Sequence, residues 1–275
     1  MKISAIVPTY NRPRALKLCL QSLAGQSLVP DEVLIADDGS TSDTRNTVDE
    51  MRNTLEDVFP IKHVWQEDIG FRKPKILNET VRQSQGEYLI FIDGDCMAHR
   101  HFVKAHIEKG DPSAILSGKR VELGRDLTER LLQSNTVLNS FGPRLLLDSI
   151  KGQSRKVEES IQIKNRLLRQ VMHRDAITSD GVWGCNFSLY KQLFIDINGC
   201  DEDFLDGSLE DNDLGIRVLN QGKMVRSVRG LAIVFHLWHQ VTWSFESSRY
   251  QHNLGIVKLR IENKETICRN GIRKL

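Results

Sequence analysis

Two aspartates one residue apart, Asp93 and Asp95, stand where an apolar segment of the sequence ends. The preceding residues 89–92 are Leu, Ile, Phe and Ile, a run typical of a strand covered on both faces in a parallel sheet. Open α/β sheets bind ligands at the carboxyl ends of their strands, and Gly94 would let the backbone approach a ligand closely. Carboxylates are hard ligands for Mg²⁺ or Mn²⁺, which can also hold phosphate oxygens. The alternative is a surface turn, in which Asp and Gly are common.

A second acidic pair, Asp37 and Asp38, follows the predicted strand 32–36. A carboxylate at the end of this strand can accept a hydrogen bond from a nucleobase N–H or a ribose hydroxyl. The alternative is a turn that leads into a helix with Ser40 or Thr41 as its N-cap.

A third acidic group, Glu210 and Asp211, lies in the first turn of a predicted helix, for which Ser208 is the expected N-cap. A helix N-terminus stabilises negative charge, so a carboxylate there is expected to stay ionised at neutral pH. Such a group suits a general base. We expect replacement of Asp213 in the same helix to reduce turnover much less than replacement of Asp211. Ordinary helix-start chemistry is the alternative.

Two histidines, His236 and His239, follow the predicted buried strand 231–235. A neutral imidazole can bind Mn²⁺, so His236 is a candidate metal ligand beside Asp95, with His239 as a further candidate. A structural histidine is the alternative.

Strands that alternate with helices predict βαβ units and a mostly parallel, Rossmann-like nucleotide-binding sheet with flanking helices, hence an α/β fold. The pattern changes after about residue 118. Residues 119–174 have helical periodicity and an excess of basic side chains, and they predict a helical insertion whose basic face meets phosphate or an anionic membrane. A solvated helical face is the alternative. The basic residues are Arg144, Lys151, Arg155, Lys156, Lys164, Arg166, Arg169 and Arg174.

The composition excludes several classes of protein. The chain has 275 residues, enough for one large or two small domains, and its net charge of +2 gives no reason to expect a nucleic-acid partner. Five widely spaced cysteines argue against a disulfide framework or structural zinc, and favour a reducing compartment. No signal peptide is expected, and no apolar run approaches the roughly 20 residues of a membrane span. We therefore predict a cytoplasmic protein, with peripheral contact at the inner membrane face as a further possibility.

The motifs together resemble those of family 2 glycosyltransferases with the A-type glycosyltransferase fold. The opening residues 6–12 (Ile-Val-Pro-Thr-Tyr-Asn-Arg), the turn 37–40 and the element 93–95 occur in the order expected for that family. The second half resembles the carboxy-terminal region of β-1,4-galactosyltransferases and the galactosaminyl module of chondroitin-type polymerases. The matching parts are 71–78 (Phe-Arg-Lys-Pro-Lys-Ile-Leu-Asn), 183–186 (Trp-Gly-Cys-Asn), 197–199 and 210–213.

This resemblance implies inverting transfer of a sugar, usually from a UDP-sugar, with Mn²⁺ or Mg²⁺. By position it implies that Asp93 touches ribose or sugar, and that Asp95 and His236 bind the metal. It also makes Asp211 the base, with Glu210 orienting hydroxyl groups. The nucleotide contacts that it implies are Thr9, Arg12, Asp37, Asp38, Phe71 and Lys73.

One departure from the galactosyltransferase pattern concerns the acceptor. Those enzymes carry a tryptophan and glycines just before their acidic motif, whereas this chain has Asp-Gly-Ser-Leu at 206–209. The acceptor pocket is therefore not expected to match theirs, and Trp183 could supply an alternative stacking face for a sugar.

The expected activity is transfer of a hexose or N-acetylhexosamine to a saccharide or lipid-linked saccharide, in bacterial surface polysaccharide synthesis. A nucleotidyltransferase and a retaining glycosyltransferase are the alternatives. The predicted division has four parts: a nucleotide-sugar-binding half (1–118), the basic insertion (119–175), an acceptor and catalytic half (176–243), and a helical tail (244–275).

Overall fold

Strands and helices alternate through most of the chain. The computed structural model describes residues 1–138, 140, 142–172, 181–240 and 244–275. The strands are β1 (Ile3–Thr9), β2 (Glu32–Asp37), β3 (Ile61–Trp65), β4 (Tyr88–Phe91), β5 (Cys96–Ala98), β6 (Ala114–Ser117), β7 (Arg120–Glu122), β8 (Phe187–Tyr190), β9 (Met224–Ser227) and β10 (Val234–His236). The helices are α1 (Pro13–Ala24), α2 (Ser42–Thr54), α3 (Lys73–Gln83), α4 (Phe102–Lys109), α5 (Arg125–Ser134), α6 (Pro143–Ile150), α7 (Arg166–Val171), α8 (Lys191–Asp196), α9 (Glu210–Asn220) and α10 (Ser248–Glu262), with a short 3-10 helix over Val157–Ser160.

Seven strands form the main sheet in the order β3-β2-β1-β4-β8-β6-β9. Four of its pairs are parallel, namely β1 with β2, β1 with β4, β2 with β3, and β6 with β9, while β8 runs antiparallel to β4 and β6. The predicted mostly parallel α/β sheet is therefore confirmed. The chain reverses its direction of winding between β1 and β4, and ligands bind in open sheets at such a switch point.

Helices cover both faces of this sheet, which explains why its central strands are apolar without interruption. Ala5 and Val7 of β1 pack against α1 and α2 on one face. Ile6, between them, packs against Ile76 and Val81 of α3 on the other face. The carboxyl ends of these strands form a polar edge of the sheet, which contains Thr9, Asp37 and Asp93.

Three short strands form a second sheet in the order β5-β10-β7. Strand β10 pairs antiparallel with β5, so that His236 is opposite Cys96, and the Leu237 N–H donates to the Asp95 carbonyl at 2.9 Å. This pairing brings the residue after Gly94 next to the end of β10. The predicted strand 231–235 therefore lies further along the chain than expected, and it contains His236.

The predicted basic insertion begins with strand β7 rather than with a helix, because Val121 is needed in the core of the small sheet. Its helices α5 and α6 then bury Leu127, Leu131 and Leu145 against Phe235 of that sheet. Arg174 lies outside the described residues. No helix in the described part of the chain is long and apolar enough to cross a membrane. The predicted helical tail contains α10, which Ser247 caps by accepting a hydrogen bond from the Tyr250 N–H at 3.1 Å.

Candidate active site

Two cavities meet at the Asp93-Gly94-Asp95 turn. The smaller has a volume of about 420 Å³ and the larger about 830 Å³. Lys73, Asp93, Asp95 and His239 line both of them. A ligand bound in the smaller cavity could thus extend past these side chains into the larger one.

The turn can lie here because Gly94 approaches the end of β1 very closely. Its N–H donates to the Pro8 carbonyl at 2.8 Å, and a Cβ at this position would lie 2.9 Å from the same oxygen. Only glycine fits at that separation without a backbone shift. The β1–β4 switch point therefore holds both aspartates in a fixed place.

The smaller cavity contains most of the residues predicted to contact nucleotide. Asp38 reaches it and accepts from the Arg72 N–H at 2.9 Å and from Gln66 Nε2 at 2.5 Å. Burial raises the pKa of Asp38, and these two hydrogen bonds oppose the shift. The predicted residues that line the smaller cavity are Thr9, Arg12, Asp38, Phe71, Lys73 and Asp93.

Asp37 does not share this position, although it is adjacent in sequence. Its carboxylate accepts from the Ser40 N–H at 2.8 Å and lies 2.8 Å from His63 Nε2. The side chain is 1% exposed and is not among the residues that line the smaller cavity. Asp37 therefore stabilises the turn that directs Asp38 into the cavity. This agrees with the alternative interpretation of the acidic pair as part of a turn.

Asp95, His236 and His239 form a group able to bind a metal ion. His236 Nε2 lies 3.5 Å from one carboxylate oxygen of Asp95, and His239 Nε2 lies 3.3 Å from the other. One donor atom from each residue falls within 4.8 Å of the others. Burial lowers the pKa of His236 despite the nearby Asp95 charge, which favours the neutral, ligating imidazole. One carboxylate oxygen and two imidazole nitrogens are donors that a divalent metal ion can use.

The acidic pair Glu210 and Asp211 opens helix α9. The N-cap is Leu209, in the left-handed region at φ 67°, so the predicted cap at Ser208 is wrong. The Ser208 hydroxyl instead donates to Asp206. A left-handed conformation is rare for a bulky residue, and such strain is often found at functional sites.

Lys73 connects the two acidic groups. Its Nζ lies 3.3 Å from Glu210 Oε1 and 3.6 Å from Asp93 Oδ1. Burial, and secondarily the charge of Asp211, raises the pKa of Glu210 to about 8. Burial also raises the pKa of Asp211, while Lys73 lowers it. For Glu210, burial therefore outweighs the helix N-terminus, contrary to the prediction of an ionised carboxylate. A raised pKa makes a carboxylate a better proton acceptor.

The Trp-Gly-Cys-Asn segment holds Asp211 in place. Gly184 packs so closely on this carboxylate that an added Cβ would lie 2.0 Å from Asp211 Oδ2. Asn186 is fully buried and anchors the segment by donating to the carbonyls of Lys119 and Ala232, both at 2.9 Å. The motif thus combines a glycine required for close approach with an amide that fixes the loop.

The larger cavity lies beyond this junction, and Trp183, the predicted acceptor contact, is one of its lining residues. It also contains side chains that were not among the predicted site residues, which come from the insertion, the segment after β10 and the tail. These are Arg120, Glu122, Arg155, Trp238, Phe245 and Tyr250. Only the excess of basic residues in the insertion hinted at Arg155.

Asp213 has a different role from its neighbours in α9. It is fully buried, and its two oxygens lie 2.8 Å from Arg217 Nε and 2.8 Å from Arg260 Nε. Arg260 also pairs with Asp201. Asp213 therefore has a structural role, since removing it would leave two buried guanidinium groups without this partner.

Two family models and several known proteins match this chain. Residues 4–194 match the glycosyl transferase family 2 model, and residues 172–240 match a model described as the N-terminal domain of galactosyltransferase. Validoxylamine A glucosyltransferase of Streptomyces hygroscopicus subsp. limoneus is 30% identical over 80% of this chain and 48% of its own length. Chondroitin synthase of Escherichia coli is 26% identical over 85% of this chain and 34% of its own length. The chain thus spans half or less of the length of these relatives.

Two solved structures show the same fold. A mannosyltransferase from Pyrobaculum calidifontis, in complex with GDP-Man and Mn²⁺, has a TM-score of 0.62 at 17% identity and covers 96% of this chain and 69% of its own. Staphylococcus aureus TarS in complex with UDP has a TM-score of 0.57 at 20% identity, with coverages of 96% and 68%. The A-type glycosyltransferase fold is therefore confirmed. The family 2 model matches residues 4–194, which is most of the chain, and this match shows that the chain belongs to glycosyl transferase family 2.

Proposed function

We propose that the protein is an inverting glycosyltransferase that moves a hexose or N-acetylhexosamine from a UDP-sugar to a saccharide acceptor. The meeting of the two cavities at Asp93 and Asp95 carries this proposal, since it offers a nucleotide site and an acceptor site on either side of one junction. We propose the same residues for the nucleotide as the resemblance implies, apart from Asp37, with Asp38 accepting from the base and Arg12 and Lys73 near the diphosphate.

The donor set Asp95, His236 and His239 suits a divalent cation, Mn²⁺ or Mg²⁺. When bound there, the ion would supply positive charge that stabilises the leaving diphosphate. Two similar structures support this class of ligand, because one contains GDP-Man with Mn²⁺ and another contains UDP, GalNAc and Mn²⁺.

Asp211 is the proposed general base. It lies at the end of the larger cavity that adjoins Lys73 and Asp93, so an acceptor hydroxyl there could donate its proton to this carboxylate. As the hydroxyl oxygen bonds to the anomeric carbon, the bond to the diphosphate breaks on the opposite side, and the configuration inverts. Glu210, which holds its proton near neutral pH, would donate to a sugar hydroxyl and orient it.

The proposed biological setting is bacterial surface polysaccharide synthesis, with a saccharide or lipid-linked saccharide as acceptor. Chondroitin synthase and the poly(ribitol-phosphate) β-N-acetylglucosaminyltransferase TarS are among the similar proteins, which supports this setting.

Contact with an anionic membrane is part of the proposal because two helices of the insertion expose apolar side chains while each buries a charged one. Helix α6 exposes Leu147 at 58% and Ile150 at 74% while it buries Asp148. Helix α7 exposes Val171 at 76% while it buries Arg169. Exposed apolar side chains next to basic ones are typical of a surface that rests on anionic lipid. The exposed basic residues between positions 143 and 171 are Arg144, Lys151, Arg155, Lys164 and Arg166.

A panel of nucleotide sugars with Mn²⁺ tests the proposal, with release of UDP and product mass as readouts. Release of pyrophosphate would instead indicate a nucleotidyltransferase. A product that keeps the anomeric configuration of the donor would indicate the retaining alternative. Turnover of no donor in the panel, together with no affinity for UDP, would contradict the proposal as a whole.

A further inference from the structure

Three cations surround one carboxylate at the wall of the larger cavity. Glu122 Oε1 lies 2.6 Å from Lys156 Nζ and 3.8 Å from Arg120 Nε, and Oε2 lies 3.0 Å from a terminal nitrogen of Arg155. We call these four residues the basic cluster. Arg120, Glu122 and Arg155 line the cavity itself. Within the basic cluster three positive charges face one negative charge, and the charges of Asp93 and Asp211 also act on Arg120.

The backbone and an aromatic ring hold the basic cluster in position. Glu122 and Arg155 exchange two backbone hydrogen bonds, at 3.0 and 2.8 Å, in an isolated antiparallel bridge. Lys156 Nζ lies 4.8 Å from the centroid of the Trp183 ring, and the guanidinium carbon of Arg120 lies 5.8 Å from it. Cations held in this way lose little further freedom when they bind a ligand.

Arg120 also has a donor that its neighbours do not use. Its Nε is buried and has no hydrogen-bond partner among the described residues, since the Glu122 oxygen at 3.8 Å is too distant. Buried polar groups are nearly always hydrogen-bonded, so an unused guanidinium donor points to a ligand. A planar guanidinium is best matched by a carboxylate or phosphate.

We propose, on the basis of the proposed glycosyltransferase function, that the acceptor carries an anionic group near the hydroxyl that receives the sugar. Arg120, Arg155 and Lys156 bind this anion, which is a carboxylate of a uronic acid or a phosphate. Arg120 and Arg155 are not among the residues that line the smaller cavity, where the donor nucleotide is proposed to bind.

Binding of matched small probes tests this inference. Methyl β-glucoside, methyl β-glucuronide and methyl β-glucoside 6-phosphate differ only in the group at C6, and their affinities are measured by NMR titration with UDP and Mn²⁺ present. At least one anionic probe is expected to bind about tenfold more tightly than the neutral one, as for a charge-assisted hydrogen bond. Preference for the glucuronide or for the phosphate distinguishes the two kinds of anion.

The double variant Arg155→Gln/Lys156→Gln should lose this preference. Lys104→Gln/Lys109→Gln, which removes two exposed charges from α4, is the matched control and should keep it. Equal affinities for the three probes, no measurable binding of either anion, or a preference that survives in the double variant would overturn the inference. UDP affinity is measured in the same samples, so failure of the proposed function would be seen separately as loss of UDP binding by the unmodified protein.

Discussion

His236, the last residue of β10, lies beside Asp95, the residue that precedes β5, with His236 Nε2 3.5 Å from Asp95 Oδ1. They are 141 positions apart by their residue numbers, and only the pairing of β10 with β5 brings them together. The second sheet therefore brings together the residues that could hold a metal ion, and it places them next to the smaller cavity.

The first prediction concerns Asp211. Asp211→Asn preserves side-chain volume but removes the proton acceptor, so turnover should fall by about 10²–10⁴-fold while UDP affinity is kept. UDP release under saturating donor and acceptor measures turnover. Asp43→Asn, an exposed carboxylate in the first turn of α2, is the matched control. Near-normal turnover of the Asp211 variant would rule out its role as base.

The second prediction concerns the metal. UDP should bind more weakly without Mn²⁺, and Asp95→Ala or His236→Ala should remove most of the gain that Mn²⁺ provides, because each removes one of three donors. Calorimetric titration of UDP with and without Mn²⁺ measures this gain. His252→Ala, an exposed histidine on α10, serves as control. Equal UDP affinities in the two conditions would contradict the metal site.

The third prediction concerns Glu210, whose pKa is raised from 4.5 to about 8 in the folded protein. The folded state therefore binds more protons than the unfolded state between these values. The stabilisation from this group is complete below about pH 4.5 and is lost as the pH rises through 8. Urea denaturation at pH 5, 7 and 9 should show a decline that is smaller in Glu210→Gln. An identical decline in both proteins would show that another group is responsible.

The fourth prediction concerns Asp213, which contacts Arg217 and Arg260 in the core. Asp213→Asn should lower the free energy of unfolding by about 3–5 kcal/mol, because it breaks a buried ion pair and leaves its partners uncompensated. Denaturant unfolding measures the loss. Asp196→Asn, whose partly exposed partner Lys223 lies at 3.6 Å, should cost less than about 1 kcal/mol. Similar losses in the two variants would mean that the buried cluster is not a stabilising unit.

The fifth prediction concerns the insertion. The protein should float with anionic liposomes at low salt, and Leu147→Glu/Ile150→Glu should abolish flotation by adding charge to the exposed face of α6. Val58→Glu changes an exposed apolar residue elsewhere and should have no effect. If the unmodified protein does not float with anionic vesicles at low salt, membrane contact by this surface is wrong.

The main sheet could be predicted from sequence because β1, β2 and β4 are short apolar runs that end in polar turns. Of the residues proposed to contact nucleotide, Thr9 is the last residue of β1, Asp38 directly follows β2, and Asp93 comes two positions after β4. Their location depends only on strand order, which local patterns constrain well.

Other features depend on contacts that no local pattern records. Asp37 and Asp38 look equivalent in sequence. Their hydrogen-bond partners in the fold distinguish them, since the first contacts His63 on the neighbouring strand and the second contacts Gln66. The predicted N-cap of α9 is wrong because the Ser208 hydroxyl donates its hydrogen bond to Asp206. The larger cavity combines Arg155 and Tyr250 from distant segments, so its lining was beyond prediction.

The link between Arg260 and Asp213 also has a consequence for biosynthesis. Chains emerge from the ribosome amino-terminus first, and early segments can begin to fold before later ones exist. The smaller cavity needs residues 8–95 and His239, whereas the anchor of α9 awaits Arg260. We expect a nascent chain to gain affinity for nucleotide before α9, the helix that carries the proposed base, is fixed in place.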